Sequence, residues 1–101
     1  KQEPFGPLAP MLSFKSFDEV IERANNHELG LCSYVCTKSM EIAHLASEQL
    51  ETGSVAVNTG VVAIAEAPFG GIKQSGYGRE GGSNAIKDYL NVKYTHLGIK
   101  G

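Results

Sequence analysis

The sequence predicts an α/β fold of parallel β-α-β units, and three observations carry that prediction. Runs rich in β-formers alternate with segments whose apolar residues recur at helical spacing, giving strand, helix, strand, helix, strand between Leu8 and Asn58. The connections between them are short, which favours parallel strands joined by right-handed crossovers. From Thr59 to Ser83 neither period is present, and a period-two run returns only in the tail.

Leu8 to Phe14 is apolar, leaves a Pro-bounded turn at Glu3-Pro4-Phe5-Gly6-Pro7, and predicts a first strand. Ser16 stands three residues before Glu19, a capping-box spacing, and Phe17, Val20, Ile21 and Ala24 then form one apolar stripe. That helix ends near Asn25-Asn26, with Gly30 marking the turn beyond it. Leu31 to Thr37 is nearly continuous in apolar character, the pattern of a strand buried on both faces. Ser39 caps a second helix whose buried face is Ile42, Leu45, Ala46 and Leu50; Thr52-Gly53 stops it, and Ser54 to Asn58 is a short strand. Both helices should lie on one face of the sheet. Its other face would be bare unless further chain covers it, so the sequence reads as part of a larger protein, or as one that folds with a partner. Ser83 can cap a last short helix bearing Ile86, Tyr89 and Leu90.

The stretch from Thr59 to Ser83 holds seven of the twelve glycines. A non-periodic stretch of this length is either a functional loop or disordered, and Pro68, Phe69, Ile72 and Tyr77 give it apolar groups to bury. We therefore expect an ordered functional loop whose glycines permit sharp turns and close approach.

With 101 residues, 42% hydrophobic and 20% charged, the chain is one globular unit at most. A net charge of -2 gives no electrostatic reason to expect nucleic acid or an anionic membrane as partner. No apolar run is long enough to span a bilayer and the first residues are no secretory signal, so a cytoplasmic or matrix-type location is expected. Cys32 and Cys36 fall four apart in one strand, roughly 13 Å from each other, too far for a disulfide. They read as small apolar strand residues, and no metal site is expected.

Gly76-Tyr77-Gly78-Arg79-Glu80-Gly81 has the letters of a dinucleotide fingerprint. It lacks the strand that must feed the glycines and the second βα unit that must follow, so packing is the favoured role. Arg79-Glu80 reads as a charge pair that fixes the loop to other parts of the structure. Ser75 has no neighbouring base, and His27, His44 and His96 stand singly. Glu3 sits in a rigid Pro/Gly frame, where its two oxygens could accept from a vicinal diol such as a ribose. Phe5 and Phe69, each beside a proline, suit either a core plug or a pocket wall.

Taken together, Glu3-Pro4-Phe5-Gly6-Pro7, Ala24-Asn25-Asn26 with Leu29-Gly30-Leu31, Gly53-Ser54-Val55-Ala56-Val57-Asn58, and the run from Pro68 to Glu80 resemble the C-terminal part of NAD(P)-dependent aldehyde dehydrogenases. The resemblance covers the whole chain, and Asn58-Thr59-Gly60 and Lys73-Gln74-Ser75-Gly76 look most like succinate-semialdehyde dehydrogenases. It implies that residues 1–90 belong to a larger catalytic domain and that 91–101 form an oligomerisation strand and tail. The implied reaction is oxidation of an aldehyde to a carboxylate through a cysteine thiohemiacetal, with hydride transfer to NAD or NADP. The nucleophile, general base and oxyanion asparagine of the family would lie before Lys1, so this chain would carry no catalytic residue and be inactive alone. By resemblance Glu3 binds the nicotinamide ribose, Phe5 lies beside the nicotinamide, Phe69 lines the substrate tunnel, and residues 60–66 line its mouth. Ala63 replaces a serine that would help to hold a distal carboxylate, which leaves room for a less polar or differently held aldehyde. The implied partners are the remainder of the parent chain, the aldehyde, and a second subunit met through strand 91–99. The rival reading is a non-catalytic assembly module, with a phosphate-binding module a distant third.

Overall fold

The structure, a computed structural model, describes residues 2–101. Its elements are helix α1 (Phe17–Asn25), strands β1 (Leu29–Gly30) and β2 (Cys32–Val35), helix α2 (Met40–Gln49), strands β3 (Ser54–Val57) and β4 (Ile72–Lys73), and a 3-10 helix (Ala85–Tyr89). Strands β2 and β3 pair in parallel, Cys32 opposite Ser54 through Val35 opposite Val57, with α2 as the crossover. One predicted β-α-β unit therefore forms.

Both α-helices begin where their caps place them. The Ser16 hydroxyl accepts from the Glu19 backbone N–H at 3.2 Å, and Ser39 does the same for Ile42 at 3.2 Å. The Glu19 carboxylate closes the first turn by accepting from the backbone N–H of Lys15 at 2.9 Å and from Arg23 at 3.0 Å. The Lys15 hydrogen bond is the main reason that the Glu19 carboxyl lies below its ordinary pKa. At the other end of α1, the side-chain amide of Asn25 uses both of its atoms. Its Nδ2 donates to Gln49 O at 2.7 Å and its Oδ1 accepts from Glu51 N at 2.9 Å, stapling the C-terminal ends of α1 and α2 together. Phe17, Val20, Ile21 and Ala24 of α1, Ile42 and Ala46 of α2 and Leu50 just beyond it line one apolar groove of about 550 Å³ over β2, which puts both helices beside the same strand.

Several expectations need correction. Residues 8–14 form no strand, and Leu8, Met11 and Leu12 stay 69%, 91% and 79% exposed. A strand exists through its ladder, and no strand among the described residues pairs with this segment. Strand β2 is shorter than expected and is not covered on both faces, since Tyr34 is 58% exposed. Gly30 is no turn residue: it is buried in β1, antiparallel to Ile72 of β4. Glycine is required there because a Cβ would lie 2.6 Å from the Glu51 carbonyl oxygen. Ser83 caps nothing: the 3-10 helix starts after Asn84 without a side-chain cap, and Ile86, Tyr89 and Leu90 are exposed. The tail from 91 forms no strand among the described residues, although the Tyr94 hydroxyl meets His96 Nδ1 at 3.1 Å, a same-side i, i+2 contact that fits the predicted period.

The chain does not close around a core of its own. Ala46 and Ala56 are the only hydrophobic residues fully buried among those described. The accessible surface is 8729 Å², whereas a compact monomer of this mass exposes about 5,500 Å². The radius of gyration, 19.2 Å, likewise exceeds the roughly 13 Å of a compact chain of this length. Among the described residues no helix is long and apolar enough to cross a membrane.

Candidate functional site

The glycine-rich stretch is held by backbone hydrogen bonds more than by burial of the apolar groups expected to need cover: Phe69 and Ile72 are half-buried, whereas Pro68 is exposed and Tyr77 is 103% exposed. Phe69 and Glu80 exchange two backbone hydrogen bonds of 2.7 Å, which draw the loop into a closed ring. Inside it the Arg79 guanidinium donates to the carbonyls of Gly71 at 2.8 Å and Gly78 at 2.7 Å. Arg79 thus fixes the loop through backbone oxygens, and it makes no ion pair with Glu80 among the described residues. Gly81 and Gly82 adopt φ of +66° and +65°, and the Gly82 N–H donates to Ala65 O at 2.9 Å, tying the far side of the ring to the segment before it.

The ring is seated on the strands by close backbone approach. Strand β4 pairs with β1, and the Ser75 hydroxyl accepts from Gly30 N at 2.9 Å, so Ser75 serves as a structural acceptor. Lys73, in left-handed conformation at φ 55°, sends its ammonium to Asn25 O at 2.9 Å, to His27 O at 3.3 Å and to the Glu51 carboxylate. One cation therefore gathers the end of α1, the end of α2 and the loop. Contrary to expectation a strand does precede the fingerprint letters at 76–81, since β4 ends at Lys73, but it is a two-residue antiparallel strand and no α-helix follows the glycines, so the arrangement is not that of a dinucleotide site.

At the other boundary of the loop, Asn58 ends β3 in left-handed conformation, φ 56°. Its side-chain Oδ1 accepts from Thr37 N at 2.9 Å and its Nδ2 donates to Thr37 O at 2.8 Å. Sequence reasoning missed Asn25, Asn58 and Lys73. For Asn58 a signal existed, since an asparagine leaving a strand before Thr-Gly is a residue that tolerates αL and bonds nearby backbone.

Phe69 is half-buried and lines an open cleft of about 620 Å³ with Tyr77, Arg79, Glu80, Asp88 and Tyr89. Ala63 is exposed and lies outside that cleft; its neighbours Val61, Val62 and Ile64 line a smaller hollow of about 380 Å³ against Gly53 to Val55. Glu3 is exposed and Phe5 is 97% exposed, both in the irregular segment before α1. Neither is brought into a cavity with Phe69 or Ala63, and Glu3 has no hydrogen bond or ion pair among the described residues. The four candidate residues thus fall in two separate places, Glu3 and Phe5 in the segment before α1 and Ala63 and Phe69 between β3 and β4.

The other reactive side chains have structural surroundings. Cys32 and Cys36 are free thiols, the first half-buried, the second exposed beyond the end of β2 at the rim of the apolar groove. The expectation that both are strand residues holds for Cys32 only. The His27 ring accepts from Leu29 N at 3.1 Å and so belongs to the turn, whereas His44 is 72% exposed beside Glu48.

The model of the aldehyde dehydrogenase family matches residues 1–95. The chain is 53% identical to a 3-sulfolactaldehyde dehydrogenase of Pseudomonas putida over 96% of its own length and 20% of that protein. It is 46% identical to an NADP(+) succinate-semialdehyde dehydrogenase of Escherichia coli over 98% and 20%. The NAD+ complex of an aldehyde dehydrogenase from Bacillus cereus superposes with a TM-score of 0.92 at 46% identity, covering 99% of this chain and 20% of that one. The chain therefore spans about a fifth of the length of the relatives it matches.

Proposed function

We propose, for a chain that belongs to the aldehyde dehydrogenase family, that it is the C-terminal part of an NAD(P)-dependent enzyme that oxidises succinate semialdehyde or a related semialdehyde to the carboxylate. The observation that carries this reading is the match over nearly the whole chain, at 53% and 46% identity, to dehydrogenases whose named substrates pair an aldehyde with a distal acid group. The nicotinamide cofactor supplies the hydride acceptor. Glu3 and Phe5 are the residues that fit it here, because Glu3 is uncommitted to any described partner and Phe5 leaves its ring in the open. The carboxylate accepts from the two ribose hydroxyls, and the Phe5 ring offers an apolar wall to the nicotinamide. Phe69 and the segment around Ala63 face the aldehyde. Residues 91–99 join a second subunit.

Glu3→Gln in the full-length enzyme is expected to lower turnover roughly tenfold or more with the fold unchanged, because one charge-assisted hydrogen bond is lost. Steady-state kinetics at saturating NAD or NADP test it. Unchanged kinetics would remove Glu3 from the cofactor site and favour the assembly-module reading.

Ala63→Ser restores a hydroxyl that can donate to a carboxylate. It is expected to lower KM for succinate semialdehyde relative to an uncharged aldehyde of similar length. An equal change for both substrates would mean that position 63 does not read the acid group.

A further inference from the structure

We propose that Asn58 is a positioning residue for the aldehyde-facing segment 59–66, acting by clamping that segment's root to the start of α2. The proposal rests on the reading above only for what the segment faces. The parallel ladder ends when Asn58 N donates to Val35 O at 2.8 Å. Beyond that point the Asn58 side chain takes the place of a peptide group, meeting Thr37 N and Thr37 O at 2.9 and 2.8 Å while its own backbone turns left-handed at φ 56°. The sheet is thereby continued by a side chain, and the main chain is released from it in a set direction. Thr37 in turn holds α2, its hydroxyl accepting from Ser39 N at 3.1 Å.

The released segment has few other holds. Val61 N donates to Thr59 Oγ1 at 3.2 Å, and the next ties are Ala67 N to Ile64 O at 3.2 Å and Gly82 N to Ala65 O at 2.9 Å. Val61 and Ile64 are 64% and 52% exposed and Val62 alone of residues 59–66 is half-buried, so burial holds the segment at one side chain only. Its course is set at its two ends, and Asn58 is the upstream one.

The test uses the full-length enzyme with Asn58→Gly, which keeps the left-handed backbone accessible but removes both bonds, and Asn58→Asp, which keeps the acceptor and loses the donor. Should Asn58→Gly fail to fold, Asn58→Asp carries the test. Losing two ordinary hydrogen bonds should raise KM for the aldehyde roughly tenfold and speed amide exchange at residues 60–66 by a similar factor. The turnover number should stay within about threefold and KM for the cofactor should not move, a split that general destabilisation would not produce. Unchanged exchange at 60–66 in both variants, or a loss shared equally by aldehyde and cofactor, would overturn the proposal. Faster exchange in a protein that oxidises no aldehyde would uphold the clamp and overturn the reaction assigned above.

Discussion

Gly53→Ala is expected to destabilise the folded protein by about 3 kcal/mol or more, at or beyond the upper end of ordinary overpacking. A Cβ at residue 53 would overlap the Gly70 carbonyl oxygen, with the Gly70 carbonyl carbon at 2.7 Å and Gly71 Cα at 3.0 Å. Every obstructing atom is backbone, so no rotamer change relieves the clash. Either the glycine ring lifts from the start of β3 or β3 shifts against β2, at the end of the ladder where Ser54 N donates to Leu31 O at 3.1 Å and Gly53 N to Gly30 O of β1 at 3.0 Å. Chemical denaturation of the full-length protein measures the loss. Gly60→Ala is the control, since nothing lies within 4 Å of a Cβ there, and its effect should stay within about 1 kcal/mol. Equal stability of the Gly53→Ala variant and the parent would refute this account of how the ring is seated.

Deleting the residues after Leu90 is expected to convert an oligomeric parent enzyme into monomers or aggregates. Val92, Tyr94, Leu97 and Ile99 are 102%, 84%, 81% and 93% exposed, and the tail has no ladder partner among the described residues. An apolar segment with period-two patterning and unpaired amides gains most by adding to a sheet edge of another chain, where the main chain gives affinity and alternate side chains give register. Tyr94 and His96 already share one side, as such an addition requires. Sedimentation velocity of the intact and truncated proteins decides the matter. The same oligomer with and without the tail would sink the proposal.

The elements that the sequence located correctly are those governed by local rules. Ser16 and Ser39 begin α1 and α2 because a hydroxyl can reach the N–H three residues on, whatever the rest of the molecule does. Strands β2 and β3 were legible as two β-rich runs flanking a helix, a sequence order that admits little besides parallel pairing. The glycine stretch was expected to be ordered by covering its apolar residues, but Tyr77 stays fully exposed and the holds are the Phe69–Glu80 backbone pair and the Arg79 side chain. The candidate site was legible only through resemblance, since Glu3, Phe5, Ala63 and Phe69 share no local pattern and the described residues alone do not bring them together.

What the sequence by itself determined, then, were the starts of α1 and α2, the parallel unit and the family, each written in contiguous residues. Only the tertiary structure decided that Gly30 is a strand residue, that residues 8–14 and 91–99 have no ladder among the described residues, and that Asn25, Asn58 and Lys73 hold the segments together. Each of these depends on a backbone group brought from far along the chain. A strand is completed by its neighbour, a glycine is demanded by whatever presses against it, and an amide becomes a clamp only when a carbonyl and an N–H arrive at matching distance. No period or spacing along the sequence records such meetings.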